Sequence, residues 1–124
     1  MLGLPEVDAQ HEGVFWRIER MKFESIEQNG LPKARLDDLL DYLALHFRTE
    51  EALAEAAGLP FDDHFASHRH TLDMLRRWGD RVLAGELDVF GFLRYLEIWF
   101  ERHILHEDLP FARELLASQQ AKGG

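Results

Sequence analysis

Several features that would assign a protein to a common class are missing from this sequence. It contains no cysteine, which excludes disulfides, thiolate-bound zinc and iron–sulfur clusters. No apolar run approaches the roughly 18 residues that a bilayer span requires. The first segment, MLGLPEVDAQHEG, lacks the basic and apolar regions of a signal peptide. We therefore expect a cytoplasmic protein with no membrane partner.

Basic residues are also scarce. The 14 Lys and Arg residues are outnumbered by 23 Asp and Glu residues, which gives a net charge of −9 at pH 7. Such a chain repels nucleic acid, and its basic residues are scattered rather than clustered, so we expect no nucleic-acid partner. With 46% apolar residues, the 124 residues are enough for one domain with its own core, over 1–124.

The turn signals are few, and they separate long segments of helical periodicity. They lie at QNGLP (28–32), AGLP (57–60) and LAGELD (83–88). The periodicity predicts four long helices and a short terminal one, at about 8–28, 33–57, 61–84, 87–108 and 109–118. The tail QQAKGG is expected to fray. Short connections favour antiparallel neighbours, so the predicted fold is an all-α, up-down-up-down four-helix bundle with a short C-terminal helical extension.

Histidine is unusually frequent, with seven residues. Without cysteine, a tight transition-metal site must use imidazoles and carboxylates. Extending the apolar stripe of each predicted helix by helical steps reaches a set of polar residues: His11, His46, Glu50, His64, His68 and His103. A single core histidine is ordinary. Five of them with a carboxylate are costly to bury unless a cation compensates them.

These candidate ligands are also predicted to lie at one level of the bundle. All except His64 are 16 to 20 residues from the turns at one end, which corresponds to roughly 25–30 Å of helix. His64 lies one turn from His68. Five imidazoles and a carboxylate exceed what four-coordinate zinc can use. The set therefore favours two octahedral ions bridged by carboxylates. Imidazole and carboxylate ligands suit iron or manganese, and the histidine-rich composition favours iron.

The segment RHILHEDLP, residues 102–110, leaves a further ligand undecided. On an ideal helix Glu107 is the residue best aligned with His103, whereas Asp108 lies about 140° away. A regular helix therefore favours Glu107.

Four segments, VDAQHEGVF, DYLALHFRTEE, LPFDDHFASH and WFERHILHED, resemble the hemerythrins, in particular the bacterial hemerythrin-like proteins. The resemblance extends over about residues 7 to 108. It implies a non-haem centre of two iron ions bridged by an oxo or hydroxo group and two carboxylates. The ligands implied for one iron are His64, His68 and His103. Those for the other are His11 and His46, and the implied bridges are Glu50 and Asp108.

The resemblance thus selects Asp108 over Glu107. For both His103 and Asp108 to face the metal, the helix must be locally unwound, and we predict a π-type turn. Pro110 favours such a turn, because its ring clashes with the carbonyl of His106 and it lacks an N–H donor. A regular helix with Glu107 on the metal would contradict the assignment of Asp108.

The function implied by the resemblance is reversible dioxygen binding, for carriage, storage or delivery to a protein recipient, rather than an enzymatic reaction. The alternatives are a di-iron enzyme, such as a peroxidase or an oxidase of nitric oxide or iron, and an oxygen- or iron-sensing module. Four apolar residues are candidates for the wall of a dioxygen pocket: Phe15, Phe47, Trp99 and Ile104.

Metal-bound histidines usually donate their second ring N–H to an acceptor. The candidate acceptors are Asp8, Gln10 and Asp63. His70 is expected to be exposed, because it lies about 200° from His68 around the helix. His106, three residues after His103, could be an outer partner of the site or an exposed side chain, and we favour the exposed position.

Overall fold

Five α-helices and one π-helical turn account for the helical part of the chain that the structure describes. The structure is a computed structural model that describes residues 4–60 and 62–123, with side chains described for 4–60 and 66–120. The elements are α1 (Pro5–Gln28), α2 (Lys33–Ala57), α3 (Asp62–Leu83), α4 (Val89–His103), the π turn (Ile104–Asp108) and α5 (Leu109–Gly123). No strand occurs among the described residues. The predicted all-α four-helix bundle with a C-terminal extension is confirmed.

Local sequence determines where the helices end. Asn29 ends α1 in the left-handed conformation, with φ 53°, and Gly58 ends α2 with φ 71°. These are the residue types that adopt positive φ at low cost. Asp88 begins α4, because its carboxylate accepts a hydrogen bond from the backbone N–H of Gly91 at 2.8 Å. The resulting connections are short, and α1 and α3 each contact both α2 and α4.

Two apolar clusters divide the interior. The larger one fills the bundle and includes fully buried residues from all four helices, such as Met21, Leu39, Leu75 and Leu96. The smaller one joins the start of α1, the end of α2 and α5, and its buried members are Leu4, Val7, Ala54, Phe111, Ala112 and Leu115. The candidate metal ligands lie between these clusters along α1 and α2 and between α4 and α5, so both sides of their layer are covered by apolar packing.

Three predicted boundaries differ from the structure. α1 begins at Pro5 instead of residue 8, since proline is favourable in a first turn where its missing N–H has no partner to lose. The segment predicted as one helix over 87–108 contains α4 followed by the π turn. α5 continues to Gly123, so the expected fraying of the tail is wrong up to that residue. Packing of Phe111 and Leu115 against the rest of the bundle holds α5 in place. None of the described helices is long and apolar enough to cross a bilayer.

Candidate metal centre

Six polar side chains from α1, α2, α3, α4 and the π turn meet between the two apolar clusters. Each is at most 9% exposed: His11, His46, Glu50, His68, His103 and Asp108. Ligand atoms of four of them, one each from His46, Glu50, His103 and Asp108, lie within 4.8 Å of one another. The fifth predicted histidine ligand, His64, is on α3 one turn from His68, and its side chain lies outside the described residues. The structure therefore brings together all of the predicted ligands whose side chains it describes.

Asp108 lies between histidines of both predicted sets. Its Oδ2 is 2.6 Å from Nε2 of His11 and 3.4 Å from Nε2 of His46. Its Oδ1 is 3.0 Å from Nε2 of His103. One carboxylate oxygen thus faces the His11 and His46 pair and the other faces His103, the arrangement that a bridging carboxylate needs.

Glu50 has a similar position on the other side of the cluster. Its Oε1 lies 3.3 Å from Nε2 of His46 and 3.6 Å from Nε2 of His68. That oxygen is buried and has no hydrogen-bond partner, and the same is true of Nε2 of His103, which is near Asp108 but not aligned for a hydrogen bond. Buried polar atoms are seldom left without a partner. A cation among these atoms would satisfy both, so the donor set fits a metal ion.

Burial and close contacts shift the pKa values of four of these groups away from their usual ranges. Burial, and then the charge of Asp108, raises the pKa of Glu50 to about 10. Burial lowers the pKa of His103, but contacts with Asp108 and Glu107 outweigh it and raise that pKa to about 10. Burial also opposes ionisation of Asp108, yet the surrounding His103, His11 and His46 hold its pKa well below its usual range. Burial lowers the pKa of His46, which keeps that imidazole in the neutral form that binds metals.

The π turn decides which residue of HILHED reaches the cluster. The backbone N–H of Leu109 donates to the carbonyl of Ile104, five residues earlier, instead of four as in an α-helix. The extra residue rotates Asp108 onto the buried face that Glu107 would occupy in a regular helix. The predicted π-type turn is confirmed, and the regular helix through 103–108 is excluded.

Glu107 does not face the metal cluster but lies behind the ring of His103. Its Oε2 accepts a hydrogen bond from Nδ1 of His103, on the opposite side of the ring from Asp108. Its Oε1 accepts a hydrogen bond of 3.2 Å from the hydroxyl of Ser67 on α3. Sequence reasoning considered Glu107 only as a ligand and missed this outer contact.

Two other histidines have acceptors at Nδ1 as well. Nδ1 of His46 is 3.1 Å from Oε1 of Gln10, whose amide nitrogen donates to Oγ1 of Thr49 at 2.9 Å. That second bond orients the amide so that Oε1 accepts, which confirms Gln10 as an acceptor. Nδ1 of His68 is 3.1 Å from Oε2 of Glu51, which was missed. The sequence did contain a signal for this contact, because Glu51 directly follows the candidate ligand Glu50 in the segment RTEE.

Asp8 and Asp63 are the other two predicted acceptors. Asp8 is half-buried on α1, one turn from the buried ligands, and the side chain of Asp63 lies outside the described residues. His70 and His106 are exposed, as predicted.

The four predicted pocket residues divide into two pairs. Phe47 stacks on His68 with ring centroids 3.9 Å apart, and Trp99 stacks on His103 at 5.1 Å. Phe15 and Ile104 instead line a cavity of about 460 Å³ that reaches His11 between α1 and α4. Phe15 is 58% exposed and therefore lies at the mouth of this cavity.

Comparison with known proteins identifies the family. The family model for the hemerythrin HHE cation binding domain matches residues 2–115. The bacteriohemerythrin of Stenotrophomonas maltophilia is 30% identical over 122 residues, which cover 94% of this chain and 77% of the relative. That of Pseudomonas paraeruginosa is 30% identical over 115 residues, 88% of this chain and 72% of the relative. That of Methylococcus capsulatus is 27% identical over 100 residues, 78% of this chain and 76% of the relative. No solved structure gives a significant match. The chain belongs to the hemerythrin family.

Proposed function

We propose that this protein binds dioxygen reversibly at a non-haem pair of iron ions, for carriage, storage or delivery to a partner. The observation that carries the proposal is the buried layer of imidazoles and carboxylates with two ligand-type atoms that lack hydrogen bonds. The proposed ligands are His11, His46, Glu50, His64, His68, His103 and Asp108.

The positions of the two carboxylates favour two ions over one. The family resemblance assigns His11 and His46 to one iron, and His64, His68 and His103 to the other. Asp108 contacts members of both sets through its two oxygens, and Glu50 lies between His46 and His68. We therefore propose both as bridges, together with an oxo or hydroxo group.

The surroundings of the site suit binding rather than oxygen activation. When bound, the iron pair supplies the redox-active ions at which dioxygen is held. Phe47 and Trp99 cover His68 and His103 and keep water from that side. Three glutamates line the cavity beside His11, but Glu12 and Glu101 are exposed and Glu97 is 3.2 Å from Nζ of Lys22. Among the described residues that line this cavity, no acid is both buried and unpaired, and proton donation is what assists cleavage of the O–O bond.

The test is to measure iron per chain and to follow the visible absorption while dioxygen is added and removed. We expect two irons per chain and a charge-transfer band that appears and disappears with dioxygen. His11→Gln should bind fewer than two irons and lose the band. The matched control His70→Gln changes an exposed histidine and should behave as the unmodified protein.

Two results would count against the proposal. Zero or one metal per chain would refute the paired site. Irreversible oxidation with turnover of a co-substrate, such as a peroxide or nitric oxide, would assign the protein to the di-iron enzymes instead.

A further inference from the structure

The imidazole of His103 lies between two consecutive carboxylates of the same chain segment. Asp108 is near Nε2, on the side of the proposed metal site, and Glu107 accepts the hydrogen bond from Nδ1. An α-helix cannot place residues 107 and 108 on opposite sides of one ring at 103, since they would lie about 100° apart on the same helix surface. The π turn makes the arrangement possible, because it moves Asp108 to the buried face and leaves Glu107 behind the ring.

Glu107 is itself held from another helix. Oγ of Ser67, which is 40 residues away in the sequence, donates to its second oxygen at 3.2 Å. The side chain of Glu107 is 35% exposed, whereas that of His103 is 1% exposed. Glu107 therefore forms a link between the surface of α3 and the buried ring, with both of its oxygens occupied.

The outer partners also differ from one histidine to the next. His103 and His68, which the resemblance assigns to one iron, have carboxylates at Nδ1, from Glu107 and Glu51. His46, assigned to the other iron, has the neutral amide of Gln10. An anionic acceptor makes the imidazole a stronger donor to a metal than a neutral acceptor does. Among the three histidines whose outer partners are described, the negative charge thus lies behind the two that are assigned to the same iron.

We propose that Glu107 is a positioning residue of the metal site, which orients the ring of His103 through Nδ1 and strengthens it as a metal donor. This inference rests on the proposed cation site but requires neither iron nor dioxygen. A purely structural role would instead make Glu107 a helix-surface residue that ties the π turn to α3 without affecting a bound metal.

Zn²⁺ is the appropriate first probe, because it binds imidazole and carboxylate ligands without redox chemistry. Its affinity is measured by competition with a chromophoric chelator in four proteins: unmodified, Glu107→Ala, Glu107→Gln and the control Glu114→Gln. Glu114 is an exposed residue of α5 and carries the same charge. Glu107→Ala should weaken Zn²⁺ binding about 10- to 100-fold, the usual effect of losing such an outer partner, and Glu114→Gln should leave it unchanged.

Glu107→Gln separates orientation from charge. Its amide oxygen can accept from Nδ1 of His103 while its amide nitrogen donates to Oγ of Ser67, so the ring stays oriented and Zn²⁺ affinity should fall less than in Glu107→Ala. In the iron-loaded protein the missing negative charge disfavours the ferric state. If the preference of the site for ferric over ferrous iron falls tenfold in Glu107→Gln, the midpoint potential of the iron rises by about 59 mV for a one-electron couple.

Unchanged Zn²⁺ affinity in a folded Glu107→Ala protein would overturn the inference. An equal loss of affinity in Glu114→Gln would do so as well, because the effect would then come from net charge. If the unmodified protein binds Zn²⁺ with the predicted dependence on Glu107 but shows no reversible dioxygen band, the inference stands and the proposed function fails.

Discussion

Loading the metal site should release about two protons, one from Glu50 and one from His103. Burial and the charge of Asp108 raise the pKa of Glu50 to about 10, so this carboxyl is protonated at pH 7 when only protein groups surround it. The pKa of His103 is also raised to about 10, so its ring is cationic at pH 7. A metal ion requires the carboxylate and the neutral imidazole. His46 and Asp108 contribute no proton, because the pKa of each is lowered.

The sign and size of the pH effect follow from these two values. Cation affinity is weakened below both pKa values and recovers as the pH rises toward about 10. Each proton displaced costs about 1.4 kcal/mol per pH unit, or a factor of about ten in affinity. For two protons, lowering the pH from 8 to 6 should weaken Zn²⁺ binding by about 10⁴, which is about 5.5 kcal/mol.

Isothermal titration with Zn²⁺ in buffers of different ionisation enthalpy measures the protons released. The same titration on Glu50→Gln should release about one proton fewer, because the amide cannot lose one. Proton release near zero between pH 6 and 8 would refute the reasoning, since Glu50 and His103 would then already be in their metal-binding forms. Equal release from the unmodified protein and Glu50→Gln would refute the part assigned to Glu50.

Two further predictions concern the frame around the site, and both are measured by urea denaturation of the metal-free protein. A Cβ at Gly79 would lie 2.5 Å from Cδ2 of the fully buried Leu36. The free energy of unfolding of Gly79→Ala should therefore fall by about 1 kcal/mol, because an overpacking cost of about 1–3 kcal/mol exceeds a helix-propensity gain of about 1 kcal/mol. Gly91→Ala, whose Cβ would have its nearest contact at 3.4 Å, should be as stable as the unmodified protein or more so, and equal stability of the two variants would contradict this explanation. The hydrogen bond from Arg76 lowers the pKa of Asp37 from 3.8, so the stabilisation is present above that value and is lost as the pH falls through the lowered pKa. Asp37→Asn should therefore reduce stability at pH 7 more than at pH 3, and the same reduction at both would show that the ion pair is not its cause.

The fold and most of the site could be predicted because both follow from the regular period of the α-helix. Apolar residues spaced at three and four positions define the buried stripe of each helix. Continuing that stripe reaches His11, His46, Glu50, His68 and His103, which the structure buries together. Counting residues from the turns gave their common level, because an α-helix rises by a constant amount per residue.

The two carboxylate outer partners, Glu51 and Glu107, could not be predicted in the same way. Whether a carboxylate contacts a buried histidine from behind depends on side-chain rotamers and on the neighbouring helix, and neither leaves a periodic signal. Glu51 and Glu107 are each adjacent to a buried carboxylate, so they resemble alternative ligands in the sequence. Periodicity alone selects Glu107 over Asp108. The family resemblance selects Asp108, and the π turn, which no periodic pattern reveals, makes that choice possible.

α5 explains why the site is buried although it lies toward one end of the bundle. Phe111, Ala112 and Leu115 are spaced as one helix face, and they pack with Leu4 and Val7 beyond the metal layer. The sequence predicted a short helix here that ended at about residue 118, because the tail QQAKGG was expected to fray. In the folded protein the face covers the end of the bundle above Asp108. Burial is the largest contribution to the raised pKa of Glu50, and Ala54, one turn after Glu50 on α2, packs in the same apolar cluster as this face of α5. The C-terminal extension therefore takes part in the chemistry of the site through the exclusion of water, without contributing a ligand.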